Sequence, residues 1–289
     1  MAILELSGVS YLYGKGTPFE KKALNNISIA FEEGLTTGII GHTGSGKSTL
    51  VQMLNGLNTP TEGKVLFEGR DIREGKKDLR PLRFKVGLVF QYPEYQLFEE
   101  TVERDVAYGP TNMGLPKEEI DARVRRCLEF TGVPEKLMQK SPFELSGGQK
   151  RRVAIAGVMA MNPSVLVLDE PAAGLDPAGR ESILSGVDMW RRETGGTVII
   201  VSHSMEDIAE HCDRILVMND GEVAGYGTPK EIFRDPEKLV GFGLAVPQIT
   251  RVFSLLRKEG IDLPDDVYTV DEAFDAIARL WERKGGKNA

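Results

Sequence analysis

The sequence predicts a mixed α/β fold, in which a buried sheet is interrupted by a helical insert and followed by a short helical extension. Three observations support this. Four short apolar runs, Thr37-Gly38-Ile39-Ile40, Val86-Gly87-Leu88-Val89-Phe90, Val165-Leu166-Val167-Leu168 and Thr197-Val198-Ile199-Ile200-Val201, lack polar alternation, as strands covered on both faces do. Each run ends in a glycine-rich loop or in polar residues, at the strand end where open α/β sheets place their sites. Residues 92–158, between the second and third runs, read as largely helical. At 289 residues the chain can bury a large core and hold more than one domain.

In chain order, the first run leads into Gly41-His42-Thr43-Gly44-Ser45-Gly46-Lys47-Ser48 and then the helical pattern Thr49-Leu50-Val51-Gln52-Met53-Leu54. Strand, glycine loop and helix together predict a phosphate site. The glycines let backbone N–H groups turn inward around phosphate oxygens, and the helix N-terminus adds partial positive charge at the same point. Lys47 is placed to reach the terminal phosphates of a nucleoside triphosphate, and the Ser48 hydroxyl to coordinate magnesium. The second run ends in Gln91, a neutral amide able to bond both a metal-bound water and a nucleophile.

Within the insert, Glu118 to Phe130 reads as a helix after Pro116, with Ile120, Val124, Cys127 and Leu128 on one face. Leu145-Ser146-Gly147-Gly148-Gln149 then precedes a stretch of basic and apolar residues with helical pattern. A serine and two glycines at a helix start make a second anion site. One nucleotide does not need two such sites from one chain, so a sandwich of two chains is expected.

The third run ends in Asp169-Glu170. Asp169 is expected to hold magnesium through water, and Glu170 to orient and polarise the attacking water, since phosphoryl transfer depends on positioning and charge stabilisation. The fourth run delivers His203 at a strand end comparable to that of Asp169. Asp220-Gly221, between Ile215-Leu216-Val217-Met218 and Glu222-Val223-Ala224, signals a hairpin.

Residues 236–289 form a separate extension. Ile249, Val252, Phe253 and Leu256 recur at helical spacing, with Gly260 as a stop. Thr269-x-x-Glu272 reads as a capping box opening a second helix whose apolar face is Phe274, Ile277, Leu280 and Trp281. Two such amphipathic helices must cover something, either their own core or a partner.

Composition narrows the function classes. A net charge of −7 argues against a broad footprint for nucleic acid, and the mixed-charge stretch from Arg70 to Lys85 reads as a solvated face. No apolar run approaches the roughly 20 residues needed to span a bilayer, and Met1-Ala2-Ile3-Leu4-Glu5 shows no secretory pattern. The two cysteines, Cys127 and Cys212, have no metal-type spacing and fit a reducing compartment.

On these motifs the chain resembles the ATP-binding cassette (ABC) ATPases over residues 1 to about 235. Gly41 to Ser48, with Thr49 beyond, resemble the family's Walker A loop. Gln91 resembles its Q-loop, Leu145 to Gln149 its signature, Asp169 and Glu170 the end of Walker B, Gly174-Leu175-Asp176 its D-loop and His203 its switch histidine. Tyr13 matches the aromatic that stacks on adenine, with Tyr11 close enough to leave the choice open. One departure is Ala172, where many relatives carry threonine. The resemblance implies a RecA-like core with an antiparallel β region and an inserted helical subdomain at about residues 92–158, with ATP and magnesium as cofactors. It also implies a head-to-tail dimer, in which each ATP lies between one chain's phosphate loop and the other's signature. Glu170 and His203 are its catalytic pair, aided by Lys47 and Gln91, and the metal falls to Ser48, Gln91 and Asp169. Ser146, Gly147, Gly148, Gln149 and Asp176 complete the nucleotide site.

A finer resemblance rests on Tyr11-Leu12-Tyr13-Gly14-Lys15-Gly16-Thr17-Pro18-Phe19-Glu20, on Gly41-His42-Thr43-Gly44, on Phe90-Gln91-Tyr92-Pro93-Glu94-Tyr95-Gln96-Leu97-Phe98 and on Ser141-Pro142-Phe143-Glu144-Leu145. These are similar to the ATPases of energy-coupling factor (ECF) transporters, most of all to the second of two paralogues. The resemblance implies uptake of a vitamin or transition-metal ion and a place on the cytoplasmic face of the membrane. Its implied partners are a second ABC ATPase, a transmembrane scaffold and an exchangeable membrane protein that captures substrate. The aromatic segment after Gln91 is then the surface facing the scaffold, and residues 236–289 a pairing domain. A homodimer and a heterodimer both stay open. So do an ATPase of another ABC transporter class, a soluble ABC ATPase and a P-loop kinase, although in a kinase the Ser146-Gly147-Gly148 run has no task.

Overall fold

Two sheets frame the protein in the computed structural model, which describes residues 1–75 and 78–283. Lys76 and Lys77 of the mixed-charge stretch, and residues 284–289 of the extension, lie outside the described residues. The smaller sheet is antiparallel and takes the order β2-β1-β4-β5 from β1 (Ala2–Tyr13), β2 (Lys21–Glu32), β4 (Glu62–Phe67) and β5 (Arg70–Asp71). The larger has six strands in the order β10-β9-β3-β8-β7-β6, from β3 (Thr36–Gly41), β6 (Val86–Val89), β7 (Val165–Asp169), β8 (Thr197–Val201), β9 (Arg214–Asn219) and β10 (Glu222–Gly227). Strands β9, β3, β8, β7 and β6 run parallel, and β10 folds back on β9 through the Asp220-Gly221 turn.

Every residue of β3, β6, β7 and β8 is buried, which is why their sequences run apolar without alternation. The period of two persists in where the side chains go. Leu166, Leu168, Val198 and Ile200 enter one hydrophobic cluster. Val165, Val167, Ile199 and Val201 enter another on the opposite side, with Leu4, Leu6, Leu24, Ile27 and Phe31 of the smaller sheet and Leu50 and Met53 of α1 (Lys47–Leu54).

The first cluster ties the insert to the sheet. Its helices are α3 (Val102–Asn112), α4 (Lys117–Phe130) and α5 (Gly147–Met159), reached from the sheet by way of α2 (Arg80–Lys85) and strand β6. Ile120, Val124, Cys127 and Leu128 of α4 are all buried, as the helical spacing predicts, against Val106, Val153, Ile155 and Trp190. Trp190 comes from α6 (Pro177–Thr194), which returns the chain toward β8; α7 (Met205–His211) then leads into β9.

The cassette ends with α8 (Pro229–Phe233) and the extension begins with α9 (Pro236–Gly241); Phe233 and Leu239 pack with Leu244 and Tyr268 onto Met205, Ile208 and Cys212. Helices α10 (Gln248–Lys258) and α11 (Val270–Arg283) follow. The expected capping box forms, with Thr269 Oγ1 accepting from Glu272 N at 3.3 Å and the Glu272 carboxylate accepting from Thr269 N at 3.1 Å. The predicted apolar faces need correction. The small local core holds Phe253, Leu263, Val267, Ala273 and Ala276, with Ile249, Leu256 and Leu280 partly covered. Val252 and Ile277 stand about half exposed, and Phe274 and Trp281 are 72% and 64% exposed. The covered stripe of α11 is Ala273, Ala276 and Leu280, one residue round the helix from Phe274, Ile277 and Trp281, which face outward.

Candidate active site

The phosphate loop is held open by close backbone contacts. A Cβ at Gly41 meets Ser45 Oγ at 2.4 Å and the Met218 carbonyl at 2.5 Å, so only glycine fits where β3 enters the loop. Gly46, at φ +103°, is the N-cap of α1 and offers no side-chain acceptor to it. The first N–H groups of α1 are therefore left for an anion. The β9–β10 hairpin braces the loop from outside, with Gly221 N donating to the Ser45 carbonyl at 3.0 Å and Asn25 N donating to the Gly221 carbonyl at 2.8 Å. His42 Nε2 lies 3.4 Å from Asp220 Oδ1 in the same turn, and Thr43 is exposed at the loop's crest.

Lys47 lies over the loop, its Nζ donating to the Gly41 carbonyl at 2.6 Å and to the His42 carbonyl at 3.0 Å. Burial lowers its pKa, against the pull of the Glu170 and Asp169 charges. A cavity of about 230 Å³ is lined by Tyr13, Lys21, Ala23, Gly44, Gly46, Lys47, Ser48 and Thr49. Tyr13 reaches its wall through a 3.0 Å hydrogen bond between its hydroxyl and Thr49 Oγ1. Tyr11 packs against the core instead, edge-on to Tyr13 at 4.8 Å between ring centres.

Three acid–base groups meet at the ends of neighbouring strands. Asp169 pairs in register with Val201, which sets His203 two residues past the end of β8, beside Glu170. Glu170 takes a left-handed backbone, φ +54°, and donates its N–H to the Val201 carbonyl at 3.0 Å. For a residue with a Cβ that conformation costs on the order of 1–3 kcal/mol, and such strain collects at functional sites. The Glu170 carboxyl is buried, with Oε1 3.4 Å from His203 Nε2 and, among the described residues, without a hydrogen-bond partner at that oxygen. Burial, with the neighbouring Asp169 charge, pushes its pKa up to about 7. Burial also raises Asp169, opposed by the Ser48 hydroxyl and the Lys47 charge, and lowers His203. Near neutral pH this leaves an uncharged imidazole beside a carboxyl group poised to accept a proton.

The remaining expected site residues stand apart from that cavity. Gln91 follows β6 after Phe90, exposed and without a side-chain hydrogen bond among the described residues. Ser146 caps α5, its Oγ accepting from Gln149 N at 3.4 Å while Gln149 Oε1 accepts from Ser146 N at 3.0 Å. Gly147 and Gly148 form the first turn of that helix, and none of these four lines the phosphate-loop cavity. Asp176 caps α6, accepting from Gly179 N at 2.7 Å.

Sequence reasoning passed over Arg151 and Glu94. Arg151 is 4% exposed and makes a two-pronged ion pair with Glu94, at 3.0 and 2.7 Å, while a third N–H reaches the Ala173 carbonyl. The signal was its spacing: Arg151, Ile155 and Met159 share the buried stripe of α5, and a charge on an apolar stripe requires a buried partner.

Known proteins resemble this chain in sequence and in structure. A family model described as ABC transporter matches residues 24–173. The energy-coupling factor transporter ATP-binding protein EcfA2 of Caldanaerobacter subterraneus subsp. tengcongensis is 51% identical over 285 residues, covering 99% of each chain. The protein of the same name from Symbiobacterium thermophilum is 54% identical over 278 residues, 96% of each chain. Among solved structures, cbiO1 from Clostridium perfringens, part of the ABC transporter complex cbiONQ, has a TM-score of 0.74 at 41% identity, covering 88% of this chain and 99% of its own. The dimeric ATP-binding cassette MJ0796 bound to ADP and Pi has a TM-score of 0.70 at 31% identity, covering 78% of this chain and 98% of its own. The chain belongs to the ABC transporter ATPase family, in its energy-coupling factor branch.

Proposed function

We propose that the chain is the ATP-hydrolysing subunit of an ECF-type importer, and that it works in a head-to-tail pair with a second ATPase to drive uptake of a vitamin or transition-metal ion. The observation that carries this reading is a division: Lys47, Ser48, Asp169, Glu170 and His203 gather at the ends of β3, β7 and β8, while Ser146-Gly147-Gly148 heads a helix outside the phosphate-loop cavity. A second anion site with no role in its own chain's cavity is available to a partner's nucleotide.

In the mechanism, the α1 N-terminus and Lys47 hold the phosphates, and Tyr13 stacks on the adenine. Magnesium fits the oxygen donors Ser48 and Asp169, with Gln91 able to approach from its exposed loop. Bound there, it neutralises charge on the phosphates. Glu170 orients the attacking water and takes up its proton, and His203 contacts the γ-phosphate. The partner's Ser-Gly-Gly turn closes the site.

Two surfaces support attachment to other subunits. Tyr92, Tyr95 and Phe98 stay exposed after Gln91, Tyr95 at 85%, a concentration of aromatic surface that marks an interaction site. We assign it to a transmembrane scaffold on the cytoplasmic face. Among the described residues no helix is long and apolar enough to cross a membrane, so membrane attachment falls to the partner. The outward stripe of α10 and α11 fits residues 236–289 as a pairing domain beyond a cassette of residues 1–235. The test is purification of the chain from detergent-solubilised native membranes. A second ABC ATPase, a transmembrane scaffold and a small substrate-capturing membrane protein should come with it and identify the substrate class. Conventional permease subunits, ribosomes or DNA-repair proteins would overturn the reading.

A further inference from the structure

One guanidinium joins three segments that the proposed mechanism treats separately. Arg151 lies on α5, the helix that Ser146 caps, two residues past Gln149. Its Nε and Nη2 donate to Glu94 at 3.0 and 2.7 Å, and its Nη1 donates to the Ala173 carbonyl. Glu94 sits in a single 3₁₀ turn, Pro93–Gln96, whose entry residue Tyr92 has φ +56° and whose outer face is the exposed Tyr92 and Tyr95. The Tyr92 ring centre is 5.7 Å from the Arg151 guanidinium, and Tyr95 N donates to the Tyr92 carbonyl at 3.2 Å to close the turn. Ala173 lies in the turn leaving Glu170, and its N–H donates to the Glu170 carbonyl at 3.3 Å. The aromatic face, the buried ion pair and the turn that leaves the strained backbone of Glu170 therefore form one continuous series of contacts.

We propose that Arg151 is a positioning residue that couples the turn after Gln91 to Glu170, so that a scaffold's hold on Tyr92 and Tyr95 sets where the hydrolytic carboxylate stands. This rests on the transporter reading above. A planar fork suits the task, because it grips a carboxylate with two N–H groups and keeps a third for the carbonyl. Neutralising both partners of a buried ion pair is often tolerated by the fold. A simple structural staple can thus be told from a coupling element.

The test uses the whole assembly, with partner ATPase, scaffold and substrate-capture protein, in lipid vesicles. It compares wild type, Arg151→Lys, and the double variant Arg151→Met with Glu94→Leu. The double variant should melt close to wild type and keep KM for ATP within about twofold, since it touches no nucleotide. Its kcat should fall about tenfold or more, as a misplaced catalytic group does, and fewer substrate molecules should cross per ATP. Arg151→Lys keeps the charge opposite Glu94 but not the reach to Ala173, and should show the same loss of kcat in milder form. Wild-type kcat and wild-type substrate per ATP in either variant would overturn the proposal, as would a loss that follows a lower melting temperature and a raised KM. Failure of the transporter reading looks different: wild type itself would then form no such assembly or move no substrate.

Discussion

The phosphate site and the C-terminal extension were both legible as patterns of residue spacing, yet they resolve in opposite ways. At the site, polar side chains are drawn inward: Lys47, Asp169 and Glu170 are buried among strand ends, each with its pKa displaced by that burial. On α11 of the extension, Phe274 and Trp281 are turned outward, and Ala273 and Ala276 take the inside places. A motif whose spacing is set by chemistry fixes which way its residues face. An amphipathic repeat fixes only that one face is apolar, and does not say which of two adjoining stripes, Ala273-Ala276-Leu280 or Phe274-Ile277-Trp281, is covered.

That contrast predicts separable losses. The largest effect belongs to the inward region: Glu170→Gln should lower ATP turnover about 100-fold or more, as loss of a positioned base does, while nucleotide affinity and ATP-dependent pairing persist. Near-normal turnover would mean that another residue positions the water. At the outward region, Phe274→Ser combined with Trp281→Ser should weaken pairing of ATPase chains by about tenfold, the scale of one aromatic anchor at an interface. Light scattering and sedimentation would measure it, with nucleotide affinity of the single chain unchanged. Unaltered pairing would remove the extension's proposed role.

A smaller effect separates both regions from the frame between them. His211 Nδ1 lies 2.8 Å from Asp188 Oδ2, joining α7 to α6. Burial alone lowers the pKa of His211, but the hydrogen bond and charge of Asp188 outweigh it and raise the pKa above 6.5. A raised folded pKa contributes stability that is fully present below the unfolded value near 6.5 and is lost as pH rises through the folded value. His211→Asn should therefore cost about 1–2 kcal/mol at pH 6, the worth of a hydrogen bond to a charged group, and much less at pH 9. Equal deficits at both values in thermal unfolding would contradict the assignment.

Most of the frame was legible because buried parallel strands cannot hide: Val165-Leu166-Val167-Leu168 admits no other reading beside a glycine loop. Helix α4 was legible for the same reason, its four apolar positions all falling on one covered face. Tyr11 and Tyr13 were not separable, since residues two apart in a strand share a face; only the hydrogen bond to Thr49 brings Tyr13 to the cavity wall. Arg151 was hidden between Lys150 and Arg152, in a stretch whose basic and apolar residues read only as a helix. Its partner Glu94 is remote in sequence, and no local pattern pairs them. Asp176 was expected for its place in a nucleotide motif, and the geometry adds a helix cap that accounts for its carboxylate independently.

The central claim, that each ATP is completed by a turn belonging to another chain, is tested most directly at Gly147. A Cβ there meets nothing within 4 Å, and an aspartate at the first position of α5 suits the helix while placing negative charge where a phosphate would approach. Nucleotide affinity of the isolated single chain would be measured for Gly147→Asp beside Lys47→Ala, followed by turnover in the assembled pair. The account predicts wild-type affinity for Gly147→Asp in the isolated chain, with turnover lost from the site it completes, and weakened affinity for Lys47→Ala alone. Reduced affinity of the isolated Gly147→Asp chain, or full turnover in the pair, would contradict it.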